Sequence, residues 1–151
     1  MPIQAQIAEI TPEQQEAARQ ALIEAARNPA AALSSLAEVS EAWVQHVDQQ
    51  FATSLFSPIE AVRGQTMQDI IYIANYHSDK VTFKKVVKPL LNIYRFDENE
   101  QYRLMALASL HAVGDAYGMQ RVRELVREQP SERVRLWTLA ALKTYDESLE
   151  Q

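Results

Sequence analysis

Residues 133–145 read RVRLWTLAALKTY, and residues 101–113 read QYRLMALASLHAV. The two stretches align on Arg135 and Arg103, and a third copy, AVRGQTMQDIIYIAN, aligns on Arg63. The anchors stand 40 and 32 residues apart. Four residues past each anchor come Met67, Leu107 and Leu139; seven past, Ile70, Leu110 and Leu142; ten past, Ile73, Val113 and Tyr145. Spacings of three and four place these side chains on one side of an α-helix. Ten residues before the second and third anchors stand Ile93 and Leu125, and thirteen before stand Leu90 and Val122, so the helix preceding each copy repeats as well. A period of this length, made of two helices and two short turns, marks an architecture of stacked hairpins. Each pair has an apolar flank that it hides only against its neighbour.

The composition agrees. Three glycines and six prolines in 151 residues leave few turn formers for a sheet protein, while Ala, Leu, Glu, Gln and Arg are strong helix formers. Helix starts are written along the chain. Thr11 with Pro12 and Gln14 is a capping box, and Ser57 with Pro58 and Glu60 predicts another. Ser78 with Asp79, Asp97 with Glu100, Asp115, and Ser131 offer further caps. A first helix is expected from Pro12 to about Arg27. A second runs to about Phe51, with Leu33, Leu36, Val39, Trp43, Val47 and Phe51 as its apolar stripe. The stretch VTFKKVVKPLLNIYRF is expected to be helical, Pro89 either kinking it or standing near its true start. The fold expectation is an all-α single domain over residues 1–151, with a helical hairpin over 1–56 followed by repeats over 57–151.

The stretches KPLLNIYRFDENEQYRLMALASLHAVGD and RVRELVREQPSERVRLWTLAAL carry an aliphatic pair or early proline, an acidic or proline turn, then an apolar-Arg doublet opening the next helix. Over about residues 57–149 the chain resembles the HEAT-repeat family of α-solenoids. Gly64 and Gln65 depart from the later copies, and the third copy lacks a second helix before the chain ends. The resemblance implies a protein-interaction or scaffold module without chemistry of its own, whose second helices line a concave face. That places Lys84, Lys88, Asn92 and Arg95, with Gln120, Arg123 and Arg127, on a partner-binding surface. HEAT-like enzymes and cofactor lyases exist, which keeps an enzyme reading as the alternative. Arg63, Arg103 and Arg135 are expected to bridge neighbouring turns, for example to Asp79 or Asp115, and so hold repeats together. Trp137 and Ala141, left bare by the missing helix, are expected to be covered by the N-terminal hairpin, by a partner, or by a second copy that makes the chain a homo-oligomer.

Charge narrows the partners. The net charge is −5, yet Lys80, Lys84, Lys85, Lys88 and Arg95 form a zone with no acid between them. Five cations on an anionic chain do not make the broad basic surface that nucleic-acid binding rewards, although a weak anion or nucleic-acid site in the 80–95 zone is a further alternative. No run approaches the roughly 20 apolar residues of a membrane span, and the start lacks the pattern of an export signal. The cytoplasm is the default compartment, with a mature exported form equally compatible with the residues.

Catalytic and metal signatures are missing from the sequence. No cysteine offers a thiolate, and the glycines at 64, 114 and 118 cannot build a phosphate cradle. His46, His77 and His111 form no metal-ligand motif, and His77, Asp79 and His111 make only a remote candidate. No cofactor, metal or catalytic residue is expected.

Overall fold

The computed structural model describes residues 1–25 and 41–151, and among these the chain is all-α. Eight α-helices succeed one another: α1 (Ile3–Ala8), α2 (Pro12–Glu24), α3 (Glu41–Ser54), α4 (Glu60–Tyr76), α5 (Val87–Phe96), α6 (Glu100–Val113), α7 (Ala116–Leu125) and α8 (Glu132–Leu149). A short 3-10 turn, Val126–Glu128, extends α7. The expected course of the chain through Arg27, Leu33, Leu36 and Val39 lies outside the described residues. No helix among the described residues is long and apolar enough to cross a membrane.

Side-chain oxygens set several boundaries. Thr11 and Gln14 form the reciprocal capping box of α2. Asp115 accepts from the Gly118 amide and Ser131 from the Val134 amide. Asn99, not Asp97, caps α6, accepting from Gln101 and Tyr102, while Asp97 accepts from the Asn99 amide. Gly114 ends α6 at φ 68°, in the left-handed region that a side chain resists.

Two starts differ from expectation. The Ser57 hydroxyl accepts from Ile59, and α4 begins at Glu60 with Ile59 as an uncapping neighbour, so the second capping box is not formed. Residues 81–86 are not helical. Val81 and Phe83 are buried while Thr82 and Lys84 are exposed, the alternation of an extended segment. The amides of Lys84, Lys85 and Val86 donate to the Asp48 carboxylate on α3 at 2.9–3.3 Å. α5 then starts at Val87, which puts Pro89 in the first turn, where no backbone donor is needed.

α6 is the centre. Residues 103–110 are buried without interruption, so over these two turns the helix has no solvent face. It packs most extensively on α4 and α5 and also touches α2, α7 and α8. Met67, Ile70 and Ile73 of α4, Leu107 and Leu110 of α6, and Leu142 of α8 are at most 1% exposed, while Leu139 and Tyr145 are partly buried against the same cluster. Each fully buried aliphatic side chain stabilises the fold by ~1.5–3 kcal/mol relative to exposure. α5 shows the amphipathic form of the same logic, with Leu90, Ile93 and Tyr94 inside and Lys88, Asn92 and Arg95 outside.

The three sequence copies also repeat their polar contacts. α4, α6 and α8 all open on a glutamate three residues before the anchor: Glu60, Glu100 and Glu132. Arg63, Arg103 and Arg135 each donate to the backbone carbonyl six residues upstream, at Ser57, Asp97 and Gln129. Arg63 also faces the Asp97 carboxylate at 3.6 Å, and Arg103 Nε donates to Gln129 Oε1 at 3.2 Å. Each of these two arginines therefore reaches position −6 of the following copy, not Asp79 or Asp115. A second rung follows the same offset: Asn99 donates to Glu60 at 3.0 Å, and Ser131 bonds to Glu100. Gly64 is explained by this contact layer. A Cβ there would lie 2.6 Å from the Tyr102 phenol oxygen, which donates to the Glu60 carbonyl at 2.9 Å.

The N-terminal helices close over α8. Ile10 and Ala18 pack with Ala140, Leu136 and Trp137. Gln15 donates to Thr144 at 2.9 Å and to Glu147 at 3.0 Å, Lys143 donates to the Ile10 carbonyl at 2.6 Å, and Arg127 donates to the Met1 carbonyl at 2.8 Å. Helix α1 had no counterpart in the sequence expectation.

Candidate binding groove

Three elements meet beside the 81–86 segment: the end of α3, the start of α5 and the start of α7. They enclose a groove of about 550 Å³. Its floor is Ala52, Val87 and Pro89, all buried, and its walls are Phe56 and Tyr117, which are 67% and 54% exposed. Lys84, Lys85 and Lys88 stand on the rim.

The rim is held from below. Asp48 accepts from three successive amides of the lysine-bearing segment, which fixes the backbone and leaves the lysine side chains outside. Asp115, which lines the groove, and Asp48, beneath the lysine-bearing segment, are both engaged: Asp48 by those amides and Asp115 by the Gly118 amide at 2.8 Å. Among the described residues Lys84, Lys85 and Lys88 have no ion-pair partner.

A second depression of about 230 Å³ continues the groove, sharing Lys88 and Tyr117 and adding Leu91, Asn92, Arg95 and Arg121. Here the cations are matched. Arg95 pairs with Glu128 at 3.1 Å, and Arg121 pairs with Glu124. The free positive charge is therefore confined to the end with the apolar floor.

Of the expected partner surface, Lys84, Lys88, Asn92 and Arg95 line these two depressions. Gln120, Arg123 and Arg127 do not join them. On α7, Gln120 lies about a quarter turn from Tyr117 and Arg121, and Arg123 lies farther round and pairs with Asp146 of α8, while Arg127, in the 3-10 turn beyond α7, reaches Met1. Gln120 is exposed and bonds Glu124 at 3.5 Å. Phe56, Ala52 and Tyr117 were not anticipated in the groove. An exposed Phe and an exposed Tyr were readable as residues, but their juxtaposition needs the packing of α3 against the α5 region.

Trp137 and Ala141 do not form a bare end. Ala141 is 2% exposed, and Trp137 is partly buried between the main cluster and the α1–α2 cover. The Trp137 Nε1 is buried without a hydrogen-bond acceptor among the described residues. Arg103 and Gln129 belong to a buried polar chain: Gln129 donates to the Tyr94 carbonyl, and the Tyr94 phenol bonds Thr138 at 2.9 Å. Burial pushes the Tyr94 phenol well above its usual range, so it stays neutral and structural. Among the described residues no three His, Asp or Glu side chains are grouped to hold a metal ion. His77 packs on the Tyr72 ring at 5.5 Å, and burial lowers the pKa of His111.

Compared with known proteins, the chain matches no family model, no curated protein and no solved structure.

Proposed function

We propose that the chain is a short HEAT-like stack of helical hairpins that serves as a non-catalytic protein-interaction module, with the groove between α3, α5 and α7 as its docking surface. The observation that carries the reading is the apolar floor bounded by Phe56 and Tyr117 with three lysines on its rim that have no ion-pair partner among the described residues. Exposed aromatics over a recessed apolar floor are the anchors expected of a binding surface, and the lysines add selectivity and attraction for an anionic partner. The stack reading is supported by the same two polar contacts recurring at the same offsets from Arg63 and Arg103. The N-terminal helices then cover α8 as a terminal cap does in a repeat array.

Affinity capture from native extract, followed by mass spectrometry, tests the module. Wild type should retain a protein that the Lys84→Glu, Lys88→Glu double variant loses, with both proteins equally folded by circular dichroism. Identical captured sets would remove the groove as the docking surface.

A further inference from the structure

We infer that the groove's occupant is a short acidic segment of a partner protein carrying one large apolar side chain. This rests on the interaction-module reading and specifies its ligand. The apolar side chain seats between Phe56 and Tyr117 over Val87 and Pro89, and the flanking carboxylates meet Lys84, Lys85 and Lys88.

The argument is one of complementarity. A small inorganic anion satisfies the lysines but leaves both aromatic walls in water. An uncharged apolar ligand covers the walls but strips water from three ammonium groups without supplying acceptors, which is unfavourable. A nucleic-acid strand offers both charge and stacking, yet it needs a track of cations along its backbone. Beyond Lys88 that track ends, because Arg95 and Arg121 are matched to Glu128 and Glu124. A lipid surface would engage the protruding Phe56 and Tyr117 but leave the recessed Val87 and Pro89 uncovered. An acidic peptide with one bulky side chain answers every feature at the α3 end.

The second depression gives the segment a direction. Lys88 and Arg95 are two helical turns apart, ~10 Å along α5. About three residues of extended chain cover that distance. Asn92 lies between them, exposed and without a side-chain partner among the described residues, so its amide can pair with a peptide group there. The ligand therefore runs from acids and an apolar anchor near Lys84 to polar chain beside Asn92.

The test uses the full chain and a dye-labelled peptide reading Glu-Asp-Glu-Phe-Asp-Ser-Asn-Ser, followed by fluorescence anisotropy. Binding should weaken about tenfold when the acids are replaced by their amides, and about as much when Phe is replaced by Ser. Lys84→Glu with Lys88→Glu should cost at least about tenfold, and Tyr117→Ser should weaken binding without altering its salt dependence. Should the double variant fail to fold, Lys88→Gln with Tyr117→Ser provides the same comparison. Absence of peptide binding to wild type, or binding indifferent to these substitutions, overturns the inference. So does tighter binding, through the same lysines, of a single-stranded oligonucleotide or of vesicles containing phosphatidylserine. If groove variants still lose the captured protein while the peptide fails, only the ligand assignment falls; if capture is also indifferent, the docking surface falls with it.

Discussion

Arg103 and Gln129, 26 residues apart in the chain, join two turns: Arg103 Nε donates to the Gln129 side chain at 3.2 Å, while Nη1 donates to the Asp97 carbonyl at 2.6 Å. One buried guanidinium thus fastens the turn before its own helix to the turn before the next. Arg103→Ala would leave the buried Gln129 oxygen without its donor and is expected to cost about 2–4 kcal/mol. Arg63 makes the equivalent contact to Asp97 at 3.6 Å in a more open setting, and Arg63→Ala should cost about 1 kcal/mol. Urea unfolding with unchanged m-values measures both; equal losses would contradict the difference in burial.

Gly64 and Tyr102 should show coupled energetics. In wild type, Gly64→Ala must displace the Tyr102 phenol from the Glu60 carbonyl, so a net loss of about 1 kcal/mol is expected despite the better helix propensity of Ala. In a Tyr102→Ala background the obstruction is gone, and the same change should gain about as much. A double-mutant cycle reads the reversal of sign.

Asp48 holds the lysine-bearing segment by its amides and not by its charges. Asp48→Ala is expected to accelerate hydrogen exchange at Lys84, Lys85 and Val86 while leaving the α6 amides protected. Uniform acceleration along the chain would mean that α3 supports the whole core rather than this segment.

Much of the helical pattern was legible, because buried positions recur at helical spacing and three caps use Thr11, Asp115 and Ser131 as their chemistry predicts. The failures are long-range. Residues 81–86 include the β-branched or aromatic Val81, Thr82, Phe83 and Val86, which disfavour helix, but the acceptor of their amides is Asp48, which local spacing cannot reveal. Ser57, Pro58 and Glu60 have a capping-box spacing, yet Glu60 is drawn to Asn99 and its backbone to Tyr102. The mismatch of Gln65 with Met105 and Trp137 also has a tertiary cause. Met105 and Trp137 are buried or partly buried on α6 and α8, the two helices that α2 packs against, whereas Gln65 is exposed. The groove was half readable: the 81–86 segment supplied Lys84 and α5 supplied Lys88, Asn92 and Arg95, but the aromatic walls come from separate parts of the chain.

Trp137 should behave as an internal packing residue. Trp137→Ala is expected to cost about 3 kcal/mol, and Trp137→Glu to loosen α1 and α2 from α8. Trp137→Phe removes the buried, unpartnered N–H along with some volume, and should cost much less than Ala. Thermal or urea denaturation ranks the three; protease cleavage within residues 1–25 reports the release of the cover. If Trp137→Glu left stability intact and changed only the oligomeric state, the indole would be an intersubunit residue.

The His111 pKa lies below its ordinary value of 6.5 because burial disfavours the imidazolium. The unfolded chain therefore binds more protons there than the folded one, and stability should fall as pH drops through 6.5. His111→Gln should flatten the slope of unfolding free energy between pH 7 and the lower folded-state pKa. An unchanged slope would place the acid sensitivity elsewhere.

The contacts between the opening helices and α8 have a consequence for biosynthesis. Ile10 meets Lys143 and Gln15 meets Thr144, pairs separated by 133 and 129 residues. As the polypeptide leaves the ribosome, α1 and α2 must wait for α8, about 130 residues later, before their oily side finds shelter. A nascent chain arrested before α8 emerges would present that side to chaperones, and emergence of α8 would withdraw it.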